Sequence, residues 1–97
     1  MQLYAIRRRN GWSTPQELRE TAARSGAEGD KLGSRVRWIR SYVLAEEDGT
    51  LGTVCIYQAE SPESIRAHAA RVGMPADEIT PVADTVIVRP DPVPVAA

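Results

Sequence analysis

The sequence is poor in the side chains from which catalytic and metal sites are most often built. Cys55 and His68 are the only cysteine and the only histidine, so an internal disulfide and a cysteine-rich zinc site are excluded. Phenylalanine is absent, and aromatic residues make up only 5% of the chain. Any chemistry must therefore rely on a small set of side chains.

Long apolar runs and a strong charge of one sign are also lacking. No apolar stretch approaches the roughly 18 residues of a membrane-spanning helix. The formal net charge of −1 gives no reason to expect binding to nucleic acid or to an anionic membrane. The first residues follow a strand pattern without a secretory signal, so we expect a soluble cytoplasmic protein. The length of 97 residues suffices for one domain.

Two strands joined by a tight turn are predicted in the middle of the chain. β-Branched and aromatic residues are frequent from Val36 to Leu44 and again from Leu51 to Ala59, as is typical of strands. Asp48-Gly49 lies between them and favours the positive φ angles of a hairpin turn. These features predict an antiparallel hairpin.

A helix is predicted directly after this hairpin. Ser61 is placed to cap its first turn, Pro62 suits the first helical position, and Gly73 suits its end. An earlier helix is predicted from Pro15, with Thr14 as its cap. The inward face of the later helix is formed by residues at helical spacing, namely Ile65, His68, Ala69 and Val72.

The two ends of the chain complete the predicted fold. A first strand is expected over residues 2–8, ended by Asn10-Gly11, and a fourth within residues 79–88, strongest over 85–88. The order βαββαβ predicts a ferredoxin-like α+β domain over residues 1–89, in which a four-stranded antiparallel sheet carries both helices on one face. Residues 90–97 are rich in proline and are expected to form a flexible tail.

The second face of such a sheet would carry no helix. Large apolar groups such as Trp38 and Tyr57 or their neighbours would be exposed there, and an exposed apolar patch of that size marks an interface. We therefore expect a homodimer in which two sheets face each other across a twofold axis, forming a dimeric α+β barrel.

Four short motifs in a fixed order give the sequence a resemblance to a known family. They are Trp-Ile-Arg-Ser-Tyr-Val (38–43), Cys-Ile-Tyr-Gln-Ala (55–59), Ser-Pro-Glu (61–63) and Gly-Met-Pro-Ala-Asp (73–77). Over roughly residues 2–83, the chain resembles small actinobacterial domains of unknown function in the dimeric α+β-barrel superfamily, of which one member is described as a nickel-binding protein. The resemblance implies the dimeric ferredoxin-like fold and the binding of nickel or another transition metal.

His68 is the candidate metal ligand, because imidazole suits nickel, copper and zinc. A single histidine would need further donors, from Cys55, from an acidic residue such as Glu60 or Glu63, or from a second copy of the chain. The alternatives for His68 are a half-buried side chain that is hydrogen-bonded to a backbone carbonyl and a role in acid–base catalysis.

A pocket on the sheet is the second candidate site. Cys55 and Tyr57 share one face of their strand, and Trp38, Arg40 and Tyr42 share one face of the neighbouring strand. If the register brings these faces together, the five side chains line a ligand pocket with two hydroxyls, a thiol, an indole and a guanidinium. Ordinary core packing is the alternative for this set.

A cluster of arginines lies in the first strand. Arg7, Arg8 and Arg9 are consecutive, and they are interpreted either as a solvated strand end or as a site for an anion or a carboxylate.

Two functions are compatible with these features. The first is a metal-binding or metal-responsive dimer with His68 as a ligand. The second, which rests on analogy of fold, is a small-molecule-binding protein or a cofactor-free enzyme of the monooxygenase or isomerase type. An interaction module without chemistry is a third possibility.

Overall fold

The structure is a computed structural model that describes residues 1–32, 35–76 and 78–92. Its strands form one antiparallel sheet in the order β2-β3-β1-β4. The predicted ferredoxin-like α+β fold is therefore confirmed. The elements are β1 (Gln2–Trp12), α1 (Pro15–Leu32), β2 (Val36–Ala45), β3 (Leu51–Ala59), α2 (Pro62–Val72) and β4 (Glu78–Pro81).

Helix α2 begins and ends where local sequence signals predict. Ser61 is extended, with φ −161° and ψ 161°, and its hydroxyl oxygen accepts a hydrogen bond from the N–H of Ser64. Gly73 adopts the left-handed conformation, with φ 82°, and its N–H donates to the carbonyl of Ala69. The four residues predicted to face inward are all buried. One of them is the single histidine, which is thereby fixed in the core.

Strand β1 is longer than the sequence predicts. Asn10 has a φ of 53°, and the pairing of β1 with β3 shifts between Arg8 and Trp12. This irregularity lets the strand resume, so Trp12 pairs with Leu51 and is buried. The prediction that Asn10-Gly11 ends the strand is wrong, because a bulge absorbs the break.

Strand β4 is shorter than predicted and lies earlier in the chain. It pairs with β1 from Arg7 opposite Glu78 to Tyr4 opposite Pro81. In that register Ala83 falls opposite the first residue of β1, so residues 85–88 extend past the paired part of the sheet. The prediction that the strand is strongest over 85–88 is wrong, because β propensity forms a strand only beside a partner.

The chain after β4 crosses the face of the sheet that carries no helix, which we call the open face. The N–H of Val82 donates to the carbonyl of Leu3 near one edge. At the other edge the carboxylate of Asp91 accepts hydrogen bonds from the Tyr42 hydroxyl and from Arg40. Residues 93–97 lie outside the described residues, so the flexible tail and the domain boundary at residue 89 stay predictions.

The core lies between the sheet and the two helices. Its main cluster is buried and apolar and consists of Tyr4, Ile6, Val36, Cys55, Tyr57, Ala59 and Ile65. Within the part of the chain that the structure describes, no helix is long and apolar enough to cross a membrane. The cytoplasmic location stays a prediction.

Candidate ligand pocket

A β-bulge in β2 decides which of its side chains face the helices. Trp38 pairs with Tyr57, but the next pair is Arg40 with Ile56, so Ile39 is an extra residue. Side chains of directly paired residues lie on the same face. Trp38 therefore shares the helix side with the buried Tyr57, whereas Arg40 shares the open face with Ile56.

The bulge divides the five residues that were predicted to line one pocket. Trp38, Cys55 and Tyr57 lie on the helix side, where Ser41 stands opposite Cys55. Tyr42 lies on the open face, where its hydroxyl donates a hydrogen bond to the carboxylate of Asp91. The predicted faces of β2 and β3 coincide only up to Trp38. The extra residue, Ile39, reverses the face on which each later side chain of β2 lies.

A pocket of about 500 Å³ lies between α1, β2 and β3. Four of the five predicted residues border it, namely Trp38, Arg40, Cys55 and Tyr57, and Tyr42 does not. Arg40 does so beside the bulge, while its guanidinium is bonded to Asp91 on the open face. Most of its surface is apolar, which suits the burial of an apolar molecule. The apolar wall includes Trp12, Leu18, Ala22, Trp38, Ile39, Val43 and Met74.

Two hydroxyls meet in the buried part of this pocket. The Tyr57 hydroxyl lies 3.1 Å from the Ser25 hydroxyl, and Tyr57 is only 1% exposed. Burial raises the pKa of the Tyr57 phenol above its ordinary value, although the hydrogen bond to Ser25 and the charge of Arg8 act in the opposite direction. The phenol is therefore a neutral hydrogen-bonding group at physiological pH.

Arg8 lies beside this tyrosine and is only 1% exposed. Its Nε donates to the carbonyl oxygen of Pro75 at 2.7 Å, and its guanidinium carbon lies 6.0 Å from the centre of the Tyr57 ring. Its Nη2 is buried without a hydrogen-bond partner, and no ion pair of Arg8 occurs among the described residues. A buried charge of this kind is costly unless something neutralises it.

The two neighbouring arginines are neutralised. Arg7 forms an ion pair of 2.6 Å with Glu46, and Arg9 forms one of 2.8 Å with Glu78. Because strand side chains alternate, Arg8 alone points to the helix side. The interpretation of the cluster as a solvated strand end is therefore wrong for Arg8, which the structure places in the pocket wall.

The thiol of Cys55 belongs to a chain of hydrogen bonds. The indole Nε1 of Trp38 donates to the Ser41 hydroxyl at 2.7 Å, and this hydroxyl donates to the Cys55 sulfur at 3.0 Å. The thiol in turn contacts the Thr53 hydroxyl at 3.4 Å. These hydrogen bonds hold the side chains of β2 and β3 that form this wall of the pocket in place.

His68 is buried between the helices and the sheet. Its Nε2 lies 2.9 Å from the carbonyl oxygen of Ser25, and because a carbonyl only accepts, this nitrogen is the donor. Its Nδ1 is buried, and no described residue forms a hydrogen bond with it. The structure thus places His68 in the backbone-bonded arrangement considered from the sequence. Nowhere in residues 1–32, 35–76 and 78–92 do three His, Cys, Asp or Glu side chains cluster as a metal ion requires.

Comparison with known proteins identifies the family. The family described as nickel responsive protein SCO4226-like matches residues 4–82. The chain belongs to the nickel-responsive SCO4226-like family. This confirms the resemblance carried by the four sequence motifs, and the match includes both Arg8 and His68.

A solved structure supports the SCO4226-like assignment at the level of the fold. The crystal structure of SCO4226 from Streptomyces coelicolor A3(2) matches with a TM-score of 0.66 and 21% sequence identity, over 87% of this chain and 99% of that chain. The similarity shows that the two share a fold. A comparison with curated proteins found no match.

Proposed function

We propose that this member of the SCO4226-like family binds a small organic molecule in the pocket between α1 and the sheet. The observation that carries the proposal is a pocket of about 500 Å³ whose largely apolar wall contains a few buried polar groups. Sites for small molecules have this composition and volumes of roughly 300–1,000 Å³.

Exposure to solvent decreases from the mouth of the pocket to its buried end. Trp38 is 44% exposed, whereas Tyr57 is 1% exposed, and their rings lie 6.3 Å apart with an angle of 26° between them. A flat apolar group would be covered by Trp38 near the mouth, and its polar end would reach the Tyr57 and Ser25 hydroxyls. The walls would bind the ligand through burial, and the buried polar groups would orient it.

The test uses two adjacent alanines of α1. Ala22 lines the pocket and Ala23 is exposed, so Ala22→Leu narrows the pocket whereas Ala23→Leu adds the same atoms to the surface. The protein is screened against a metabolite library by thermal shift, and each compound that raises the melting temperature is titrated by calorimetry. We expect Ala22→Leu to weaken binding about tenfold or more and Ala23→Leu to leave it unchanged.

Two results would contradict the pocket as a ligand site. One is a library in which no compound binds the wild-type protein. The other is binding that persists unchanged in Ala22→Leu while the variant keeps its fold by circular dichroism.

We also propose that two copies associate through the open face. The support is the apolar surface of that side of the molecule, where Ile39 is 45% and Tyr42 is 43% exposed, together with the crossing segment after β4. In that segment Val86, Ile87 and Val88 are 84%, 74% and 81% exposed. Apolar side chains clustered on one surface favour association because contact removes them from water.

Sedimentation equilibrium tests the dimer directly. We expect a dimer in the wild-type protein and a shift towards monomer in Ile87→Asp, since a carboxylate would be buried without a partner. Arg66→Asp, on the exposed side of α2, is the matched control and should remain dimeric. A wild-type protein that stays monomeric at high micromolar concentration would refute the proposed assembly.

Nickel binding is a second candidate function, and the family description favours it. His68 supplies one buried nitrogen, Nδ1, that has no hydrogen-bond partner in the described part of the chain. The thiol of Cys55 is engaged with hydroxyls, and Glu60 and Glu63 are exposed. Among the described residues, His68 Nδ1 is therefore a single candidate donor for nickel. A complete coordination shell would require further donors.

Calorimetric titration of tag-free protein with nickel tests this second candidate. Stoichiometric, submicromolar binding that disappears in His68→Gln would establish His68 as a ligand. Binding that is retained in His68→Gln, or that is absent in the wild-type protein, would remove it from this role. Glu63→Gln is the control for loss of an exposed carboxylate on the same helix.

A further inference from the structure

We infer that the ligand of this pocket is a carboxylate with an apolar body, held by the guanidinium of Arg8. The inference rests on the proposed function, because it requires that the pocket is a ligand site. It adds the chemical class of the ligand and the residue that selects it.

The first support is the unsatisfied state of Arg8. Its side chain is 1% exposed, its Nη2 has no hydrogen-bond partner among the described residues, and its Nε donates to the Pro75 carbonyl. A neutral carbonyl does not cancel the positive charge. Buried guanidinium groups normally have a carboxylate or phosphate partner, since the charge is otherwise uncompensated away from water. A ligand anion would supply what the fold leaves out.

The second support is the charge of the whole pocket wall. Three arginines line it, and among the described residues that do so there is no aspartate or glutamate. Arg40 directs its guanidinium to Asp91 on the open face, and Arg19 lies on the exposed side of α1. The positive charge of Arg19 at the exposed rim favours the approach of an anion, and the buried charge that faces the pocket is left to Arg8.

The hydroxyls beside Arg8 fit the same ligand. The Tyr57 and Ser25 oxygens are 3.1 Å apart, so one of these hydroxyls donates to the other. Two hydroxyls carry two protons, and the second proton remains available for an oxygen of the ligand. Burial raises the pKa of Tyr57, which keeps the phenol protonated and able to donate.

A carboxylate fits better than a phosphate for two reasons. A guanidinium presents two parallel N–H groups that match the two oxygens of a carboxylate, and one such group balances one negative charge. The remaining wall is mostly apolar and matches a hydrocarbon or aromatic body rather than a second charge. Inorganic phosphate, which shares the anionic chemistry, is therefore included as a competitor in the test.

The experiment compares a panel of aromatic and aliphatic monocarboxylates with their primary amides, which have nearly the same shape and no charge. Binding is measured by calorimetry on the full chain for the wild-type protein, Arg8→Gln and Arg9→Gln. Arg9→Gln is the matched control, because it also removes one positive charge. The Arg9 side chain is 59% exposed and points away from the pocket.

We expect at least one acid to bind the wild-type protein about 30-fold or more tightly than its amide. Arg8→Gln should lose this preference by a similar factor, and Arg9→Gln should retain it. Excess inorganic phosphate should not displace the acid beyond the effect of sodium chloride at equal ionic strength. Should Arg8→Gln fail to fold, the comparison of acid with amide in the wild-type protein still tests whether the ligand is a carboxylate.

Three results would overturn the inference, and they differ in whether the pocket remains a ligand site. Equal binding of acids and amides, or binding of neutral compounds alone, would leave the pocket as a ligand site without selection by Arg8. Displacement by phosphate that depends on Arg8 would replace the carboxylate with a phosphate. Binding of neither the panel nor the library would remove the proposed function as well.

Discussion

His68 Nε2 lies 2.9 Å from the backbone carbonyl oxygen of Ser25, and this hydrogen bond ties α2 to the middle of α1. His68→Ala removes the bond and leaves a cavity in a fully buried position. We expect a loss of about 2–4 kcal/mol in the free energy of unfolding, measured by urea denaturation. Arg66→Ala on the exposed side of α2 should change it by less than about 0.5 kcal/mol. Equal effects of the two substitutions would contradict this role of His68.

Arg7 and Arg8 should respond oppositely to the same substitution. Arg8→Met replaces a buried charge that has no ion-pair partner among the described residues with an apolar side chain of similar length, so the free energy of unfolding should stay within about 1 kcal/mol or rise. Arg7→Met leaves the Glu46 carboxylate, only 12% exposed, without its partner, and should cost about 1–3 kcal/mol. Urea denaturation of both variants checks the prediction. A large loss in Arg8→Met would mean that Arg8 supports the fold.

Two glycines should show effects of opposite sign when they are changed to alanine. A Cβ at Gly52 would lie 2.5 Å from the Arg8 carbonyl oxygen and 2.5 Å from a Glu46 carboxylate oxygen, so Gly52→Ala should cost about 1–3 kcal/mol. Gly26 lies within α1, and a Cβ there would meet no described atom within 4 Å, so Gly26→Ala should stabilise by about 0.5–1 kcal/mol. Thermal and urea unfolding of the pair measure both changes, and shifts of the same sign would contradict the packing at Gly52.

The stability contributed by Tyr57 should depend on alkaline pH. Burial raises its pKa in the folded state, whereas an unfolded tyrosine titrates near about 10. The stabilising effect is therefore complete below about pH 10 and is lost as the pH rises through the folded pKa. The difference in unfolding free energy between the wild-type protein and Tyr57→Phe should shrink over this range. A difference that is constant between about pH 8 and pH 11 would contradict the prediction.

The elements that depend on local chemistry were predictable from the sequence. The hairpin from β2 to β3 follows from the strand composition around Asp48-Gly49, and α2 follows from Ser61 and Gly73 at its ends. In each case the deciding contacts lie within a few residues of one another. The βαββαβ order then limits the topology to few alternatives.

The pairing register was not predictable, and it controls the candidate site. The bulge at Ile39 separates Tyr42 from Tyr57, and no local signal in the sequence marks it. Strand β4 could not extend past Ala83, because β1 begins at Gln2, although the later residues have the higher β propensity. Both outcomes depend on a neighbouring strand that lies far away in the sequence.

Arg8 is a different case, because a signal for it was present. It follows Ile6 by two residues and Tyr4 by four, so strand alternation alone places it on the buried face with them. The neighbouring arginines make burial of Arg8 hard to predict, because a run of charged residues is typical of a solvated surface. The sequence does not indicate that two of the three would find carboxylates and the third would not.

The bulge at Ile39 also bears on how copies of this chain can meet. β2 is an edge strand, and a regular edge exposes backbone N–H and carbonyl groups with which another chain can pair and extend the sheet. The extra residue interrupts that row halfway along β2. Growth of the sheet from one molecule into the next is thereby hindered at this edge, which agrees with the proposed association through the open face.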